Sequence, residues 1–208
     1  MEWEKIMRKG YIAGIFCTTA LLMSLGAPAN ASTEPTTPPP TQEEIEAQIS
    51  SIEQPAVREA TQALYDAIIS DGRNVLSLST VDYEPATGEV STRASLPSDC
   101  GMSVIVSATG GVIYNDTTTS CGTQFSSVKT NLGIKGQNPY NPFDQNTVRD
   151  VSFYNYNNTV ATRGTSFACP NSNETKWFAI STGELVRNGT TYYTPSVYDE
   201  TSSVNCGW

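Results

Sequence analysis

Between Cys100 and Cys121 the chain reads SVIVSAT, then Gly110-Gly111, then VIYND. Two β-type runs joined by two glycines form a hairpin, because the tight hairpin turns need positive φ and glycine supplies it without a steric cost. A two-residue turn sets Ala108 opposite Ile113 and Val106 opposite Asn115. Val104, Val106, Ala108 and Ile113 then share one face, and Ser107, Thr109 and Tyr114 the other, which predicts one side buried and one wetted. Closing this hairpin also brings the two bracketing cysteines together.

That closure organises the remaining cysteines. Cys100, Cys121, Cys169 and Cys206 lie beyond Cys17, which falls in the N-terminal leader described below. An even number in an exported chain reads as two disulfides, with three possible connectivities. The hairpin favours Cys100–Cys121, which leaves Cys169–Cys206. A loop of the first size contributes about 3 kcal/mol on the chain-entropy model. The cysteine spacings do not match a zinc site and no histidine exists to complete one, so neither metal nor cofactor is expected.

Export is read from the N-terminus. Lys5, Arg8 and Lys9 precede an apolar run from Tyr11 to Leu25, and Ala29-Asn30-Ala31 supplies a small-x-small cleavage site before Ser32. This is the layout of a secretory signal peptide over residues 1–31. The run is shorter than the roughly 20 residues of a spanning helix, so no membrane span is expected after cleavage. Glu2 and Glu4 are unusual in a basic leader, and Met7 before Arg8-Lys9 offers a second start. Loss of Lys5, Arg8, Lys9, Glu2 and Glu4 moves the net charge from −9 to −10. Such acidity argues against nucleic acid and against anionic lipid as partners. The mature protein is expected outside the cell, with its oligomeric state open.

Residues 32–41 form a Pro/Thr-rich linker, because consecutive prolines lack N–H donors and favour an extended conformation. Residues 42–71 read as an acidic amphipathic helical segment. Thr41 and Glu44 make a capping box before Ile45, Ile49 and Ile52. Pro55 then opens a second helix with Val57, Ala60, Leu64 and Ile68 on one stripe, ending at Asp71-Gly72. The stripe requires a cover, either the β domain behind it or a partner.

From residue 72 to 208 the composition turns to Thr, Ser, Tyr, Asn and Val with frequent turn residues. NVLSLSTVDYE and GEVSTRAS read as strands joined through Pro85–Gly88, and FSSVKTNLGIKG follows the cysteine hairpin. Asn138-Pro139-Tyr140-Asn141-Pro142 reads as a loop. VSFYNY and TVATR flank Asn157-Asn158, a second predicted two-residue hairpin, and Asn188-Gly189 marks a third. The fold class is therefore all-β, an antiparallel sandwich or small barrel, disulfide-stapled and preceded by the acidic helical segment.

The chain contains no histidine, which removes nucleophile–histidine mechanisms. Gly164-Thr165-Ser166-Phe167-Ala168-Cys169-Pro170 resembles the serine motif of the subtilisin-like proteases, with Ser166 at the nucleophile's place, but the base that chemistry needs is missing. A hydrolase working through paired carboxylates is the alternative, drawing on Glu84, Glu89, Glu184, Asp199 and Glu200. The main reading is a non-catalytic domain for binding an extracellular glycan, cell wall or protein. In the expected Asn157-Asn158 hairpin Val151, Phe153 and Val160 take the core side. Tyr154, Tyr156 and Arg163 share the outer face, where flat rings beside hydrogen-bonding groups suit such ligands. Arg163-Gly164-Thr165, Lys176-Trp177-Phe178-Ala179-Ile180, Tyr192-Tyr193 and Val197-Tyr198 are similar in order to bacterial SH3-like cell-wall modules. That resemblance spans about the last fifty residues and implies a cell-wall-binding module there.

Overall fold

The computed structural model describes residues 38–85 and 99–208. The leader, most of the linker, the expected strand GEVSTRAS and Glu89 lie outside the described residues. Two helices come first, α1 (Gln42–Ser50) and α2 (Pro55–Ser70). The capping box at Thr41 is formed, with the Thr41 amide donating to Glu44 Oε2 at 2.7 Å. The bond holds the Glu44 carboxyl below its ordinary value. Pro55 occupies the first turn of α2, and Gly72 follows its end at φ +71°.

Among the described residues nine antiparallel strands follow: β1 (Asn74–Asp82), β2 (Glu84–Pro85), β3 (Cys100–Thr109), β4 (Val112–Asn138), β5 (Asn141–Ala168), β6 (Asn171–Arg187), β7 (Thr190–Tyr193), β8 (Val197–Glu200) and β9 (Val204–Gly207). The central element is β4. Along one edge it pairs with β5; along the other it pairs with β3 in its first half and with β6 in its second. Between Ser120 and Phe125 the β4–β5 register shifts and the ribbon bends. The bend brings together residues sixteen apart on β5, since Arg149 Nε donates to Thr165 Oγ1 at 3.2 Å.

The sheet comes back on itself through Tyr83. β1 pairs with β3 at one side, and β2, a single residue further along the chain, pairs with β7 at the other. The result is an antiparallel sheet nearly closed into a barrel. Tyr83 is buried at this junction with its hydroxyl 2.8 Å from Thr119 Oγ1, and burial pushes its pKa well up. Its ring lies over Gly183, where a methyl group would overlap the phenol. β6 to β9 belong to this same sheet, so the last fifty residues do not form a separate barrel.

The barrel interior holds Met102, Val104, Val106, Ile113, Phe125, Val128, Trp177 and Leu185. A polar knot sits within it. Buried Asn115 donates through Nδ2 to the Gly133 carbonyl at 3.0 Å and to Ser181 Oγ at 3.2 Å, tying the two halves of β4 and β6 together. Such a group is tolerated because its hydrogen bonds are made. Both disulfides pair as anticipated: Cys100–Cys121 directly across β3 and β4, and Cys169–Cys206 between the end of β5 and β9.

Two expectations require correction. The Gly110-Gly111 turn and its register are as predicted, with both glycines at positive φ, but the face of the β3–β4 hairpin expected to be wetted is largely covered, with Thr109 and Tyr114 half-buried near the turn. Ser103 and Ser107 are fully buried because the helices cover that face. Ile45, Ile49, Leu64, Tyr65 and Ile68 pack there on Ile105, and Thr61 Oγ1 lies 2.6 Å from Ser103 Oγ. The apolar stripe is thus covered by the chain's own sheet. Second, Asn157-Asn158 does not reverse the chain: it lies inside β5, where Asn157 adopts φ +50° as the ribbon bends. Val160 is consequently exposed and Ala161 buried, the opposite of what a hairpin there would give. Asn188-Gly189 does make its hairpin, with φ of +51° and +77°.

The seam between β1 and β8 carries a pH dependence. Asp199 is buried there. Burial pushes the Asp199 carboxyl above its ordinary value of 3.8, an effect that the facing Ser77 and Ser79 hydroxyls offset only in part. A carboxyl whose folded pKa is raised adds stability that is complete below the unfolded value and lost as pH rises through the folded one. Calorimetric midpoints should therefore show Asp199→Asn more stable than the parent at neutral pH. The difference between the two should close as the pH falls toward the ordinary carboxylate range. An unchanged difference across that window would exclude Asp199 as its source.

Candidate functional site

From Ser127 to Leu132, beyond the bend, β4 alternates between outward and buried side chains. Val128, Thr130, Leu132 and Ile134 are buried, while Ser127, Lys129 and Asn131 point outward and are half-buried. The pleat carries the same alternation sideways, because directly opposed residues share a face. On the outer face Tyr154 of β5 opposes Lys129 of β4, Lys129 opposes Glu184 of β6, Glu184 opposes Tyr193 of β7, and Tyr193 opposes Glu84 of β2. These residues form one row across five strands. The next row runs from Tyr156 to Ser127 and Val186. On the other side Ser152 Oγ donates to Asn131 Oδ1 at 2.7 Å, and Asn131 Nδ2 donates to Thr182 Oγ1 at 2.8 Å.

The rings on this face are open to solvent. Tyr154 and Tyr156 are 55 % and 62 % exposed, and Tyr193 and Tyr198 are 43 % and 52 % exposed. Lys129 Nζ stands 5.9 Å from the centre of the Tyr154 ring, within reach of its negative face. Arg163 does not join this group. Because β5 runs through Asn157-Asn158 without turning, Arg163 falls in phase with buried Ala161 and Thr165, opposite Thr117. Its Nη1 donates to the Thr162 carbonyl. Sequence reasoning did not place Lys129, Glu184 and Tyr193 on this face, because their alignment depends on the register between strands far apart in the chain.

Among the described residues the candidate carboxylates are spread over the sheet. Glu84 and Glu184 share the outer face but flank Tyr193, one strand away on either side. Asp199 is buried, while its neighbour Glu200 pairs with Lys176. Among the described residues no group of three or more acidic or cysteine side chains could hold a metal.

A second polar feature lies beside the end of α2. Asp71, Arg73, Tyr114, Asp116 and Ser166 line a cleft of about 480 Å³. Arg73 Nη1 reaches Asp116 Oδ2 at 2.6 Å, Nη2 reaches Asp71 at 3.2 Å, and the guanidinium lies 4.6 Å over the Tyr114 ring. Burial pushes the Asp116 carboxyl up, with Arg73 opposing. Ser166, the residue matching the protease nucleophile, lies near the end of β5 and is hydrogen-bonded to neither carboxylate; Cys169 of the same motif is in a disulfide. At the β4–β5 tip, Asn138 and Asn141 side chains accept from the amides of Tyr140 and Phe143 at 3.0 and 3.2 Å, holding two exposed rings on consecutive Asn-Pro turns. Among the described residues no helix is long and apolar enough to cross a membrane. Set against family models, curated proteins and solved structures, the chain matches none.

Proposed function

We propose that the protein is an exported, non-catalytic binding domain that engages an extracellular ligand on the outer face of β5, β4, β6 and β7. The observation carrying this reading is the row Tyr154–Lys129–Glu184–Tyr193, with both rings exposed and the two charged residues between them half-buried. Tyrosines on a solvated sheet contribute little to the core, yet they offer large rigid contact area at small entropic cost. The leader-like N-terminus and two disulfides support the extracellular setting. The hydrolase alternative has less support among the described residues, since Tyr193 stands between Glu84 and Glu184, Asp199 is buried and Glu200 is paired with Lys176.

The test is a double variant, Tyr154→Ala with Tyr156→Ala, assayed for retention on isolated cell walls and on an array of extracellular glycans and matrix proteins. Retention should fall at least tenfold. The stability cost should remain near that of ordinary surface changes, within about 0.5 kcal/mol each. Undiminished retention would overturn the proposal, as would a loss of roughly 3 kcal/mol per ring, the signature of buried aromatics.

A further inference from the structure

Resting on the reading of this face as a binding surface, we propose that its ligand is an uncharged polysaccharide. The chain lies across the strands, with Tyr154 and Tyr193 as stacking platforms at the two ends of one track. The two tyrosines are three strand spacings apart, ~14 Å at the usual interstrand distance, a span of several linked sugar rings. Between them stand Lys129, which can only donate hydrogen bonds, and Glu184, which when ionised can only accept. Sugar hydroxyls both donate and accept, so one neutral chain satisfies both side chains at once.

Charge selects against an anionic polymer. Lys129 and Glu184 cancel along the track, and Glu84 stands just beyond Tyr193. A polyanion would meet two carboxylates there, only one of them balanced by Lys129. The surface beside the track is rigid, because Ser152, Asn131 and Thr182 spend their side-chain groups on one another. The track itself is an open sheet face; the polar cleft at Arg73 and the smaller cavity at Gly110-Gly111 are lined by other residues. An open platform ending in rings suits a chain that continues past both ends better than it suits a compact small molecule. Tyr156, two residues from Tyr154 on the same strand, widens the platform at the β5 end, whereas Tyr193 is the ring of this row at the β7 end.

The experiment is calorimetric titration of the full protein with N-acetylglucosamine oligomers and glucose β-oligomers of two and six units, with polygalacturonate as the charged control. A six-unit oligomer of at least one neutral series should bind at least tenfold more tightly than its two-unit counterpart, and polygalacturonate should not compete. Tyr193→Ala should bring six-unit affinity down toward the two-unit value while leaving the two-unit affinity unchanged. Glu184→Ala, at a half-buried outward position between the rings, should weaken six-unit binding and serves if Tyr193→Ala fails to fold. If Tyr154→Ala with Tyr156→Ala abolishes binding while Tyr193→Ala and Glu184→Ala do nothing, the cross-strand track is wrong although the face still binds. If neutral oligomers fail while the protein is retained on cell walls through Tyr154 and Tyr156, the ligand class is wrong and the binding function survives. Stronger binding of polygalacturonate would overturn the ligand class in the same way.

Discussion

Trp177→Ala should lower the stability of the protein by about 4 kcal/mol, within the usual range for truncating a buried tryptophan. Trp177 is fully buried in the barrel, its ring centre 5.4 Å from that of Phe167, and its indole nitrogen donates to the Cys206 carbonyl at 3.0 Å. Truncation therefore removes packing from the interior and also the donor that holds β9 against β6. At roughly 2–4 °C per kcal/mol for a chain of this size, the thermal midpoint should fall by about 10 °C. Trp177→Phe keeps most of the volume and loses only the hydrogen bond, so its cost should be nearer 1–2 kcal/mol. Urea denaturation of both variants against the parent measures the difference. Equal costs would mean that the hydrogen bond, and not the ring, dominates at this position.

The β9 attachment also shows where sequence reasoning reached its limit. Local chemistry was readable wherever one residue type is needed for one backbone state. Gly110-Gly111 and Asn188-Gly189 turn as expected because both positions of each turn need positive φ, and Thr41 with Glu44 caps α1 by pairing two otherwise orphaned amides. Asn157-Asn158 failed for a reason of the same kind. An asparagine at positive φ can reverse a strand or merely bend it, and the choice was made by long-range pairing. β4 continues past its own bend, so Thr119 opposes Ala161 and Ser127 opposes Tyr156 in one ladder. Nothing within a few residues of Asn157 encodes that.

Faces and sites followed the same division. Tyr154 and Tyr156 are exposed, as the alternation from Val151 onward suggests, whereas Arg163 was assigned to their face through the hairpin that does not form. The second face of the β3–β4 hairpin was read as wet because its serines are polar. Its burial depends on where α2 docks, and the stripe on α2 says that a cover exists without saying which sheet face supplies it. Lys129, Glu184 and Tyr193 become neighbours of Tyr154 only through register across four strands. Arg73 and Asp116 likewise meet across 43 residues.

Removing the Cys169–Cys206 disulfide by Cys169→Ala with Cys206→Ala should cost about 4 kcal/mol, against about 3 kcal/mol for the corresponding loss at Cys100–Cys121, because the chain-entropy term grows with loop length. The separations are 37 and 21 residues. Native-state context widens the gap. Cys100 and Cys121 are direct partners in a ladder whose next pairs, Gly101 with Ser120 and Met102 with Thr119, hold register without the bond. β9 has four residues and pairs with β6 through Asn171–Gly207, Glu174–Asn205 and Thr175–Val204, interrupted by a register shift. Without its disulfide, β9 should open locally, releasing Trp208 from its place over Gly136 and freeing the indole of Trp177. Amide exchange should then accelerate at Val204–Gly207 while the β3–β4 ladder stays protected, and tryptophan emission should shift to the red before global unfolding. Because Trp177 and Cys206 share a hydrogen bond, combining this variant with Trp177→Ala should cost less than the sum of the two. Full additivity would show that β9 is held independently of Trp177, and uniform exchange across both disulfide regions would show that it does not open on its own.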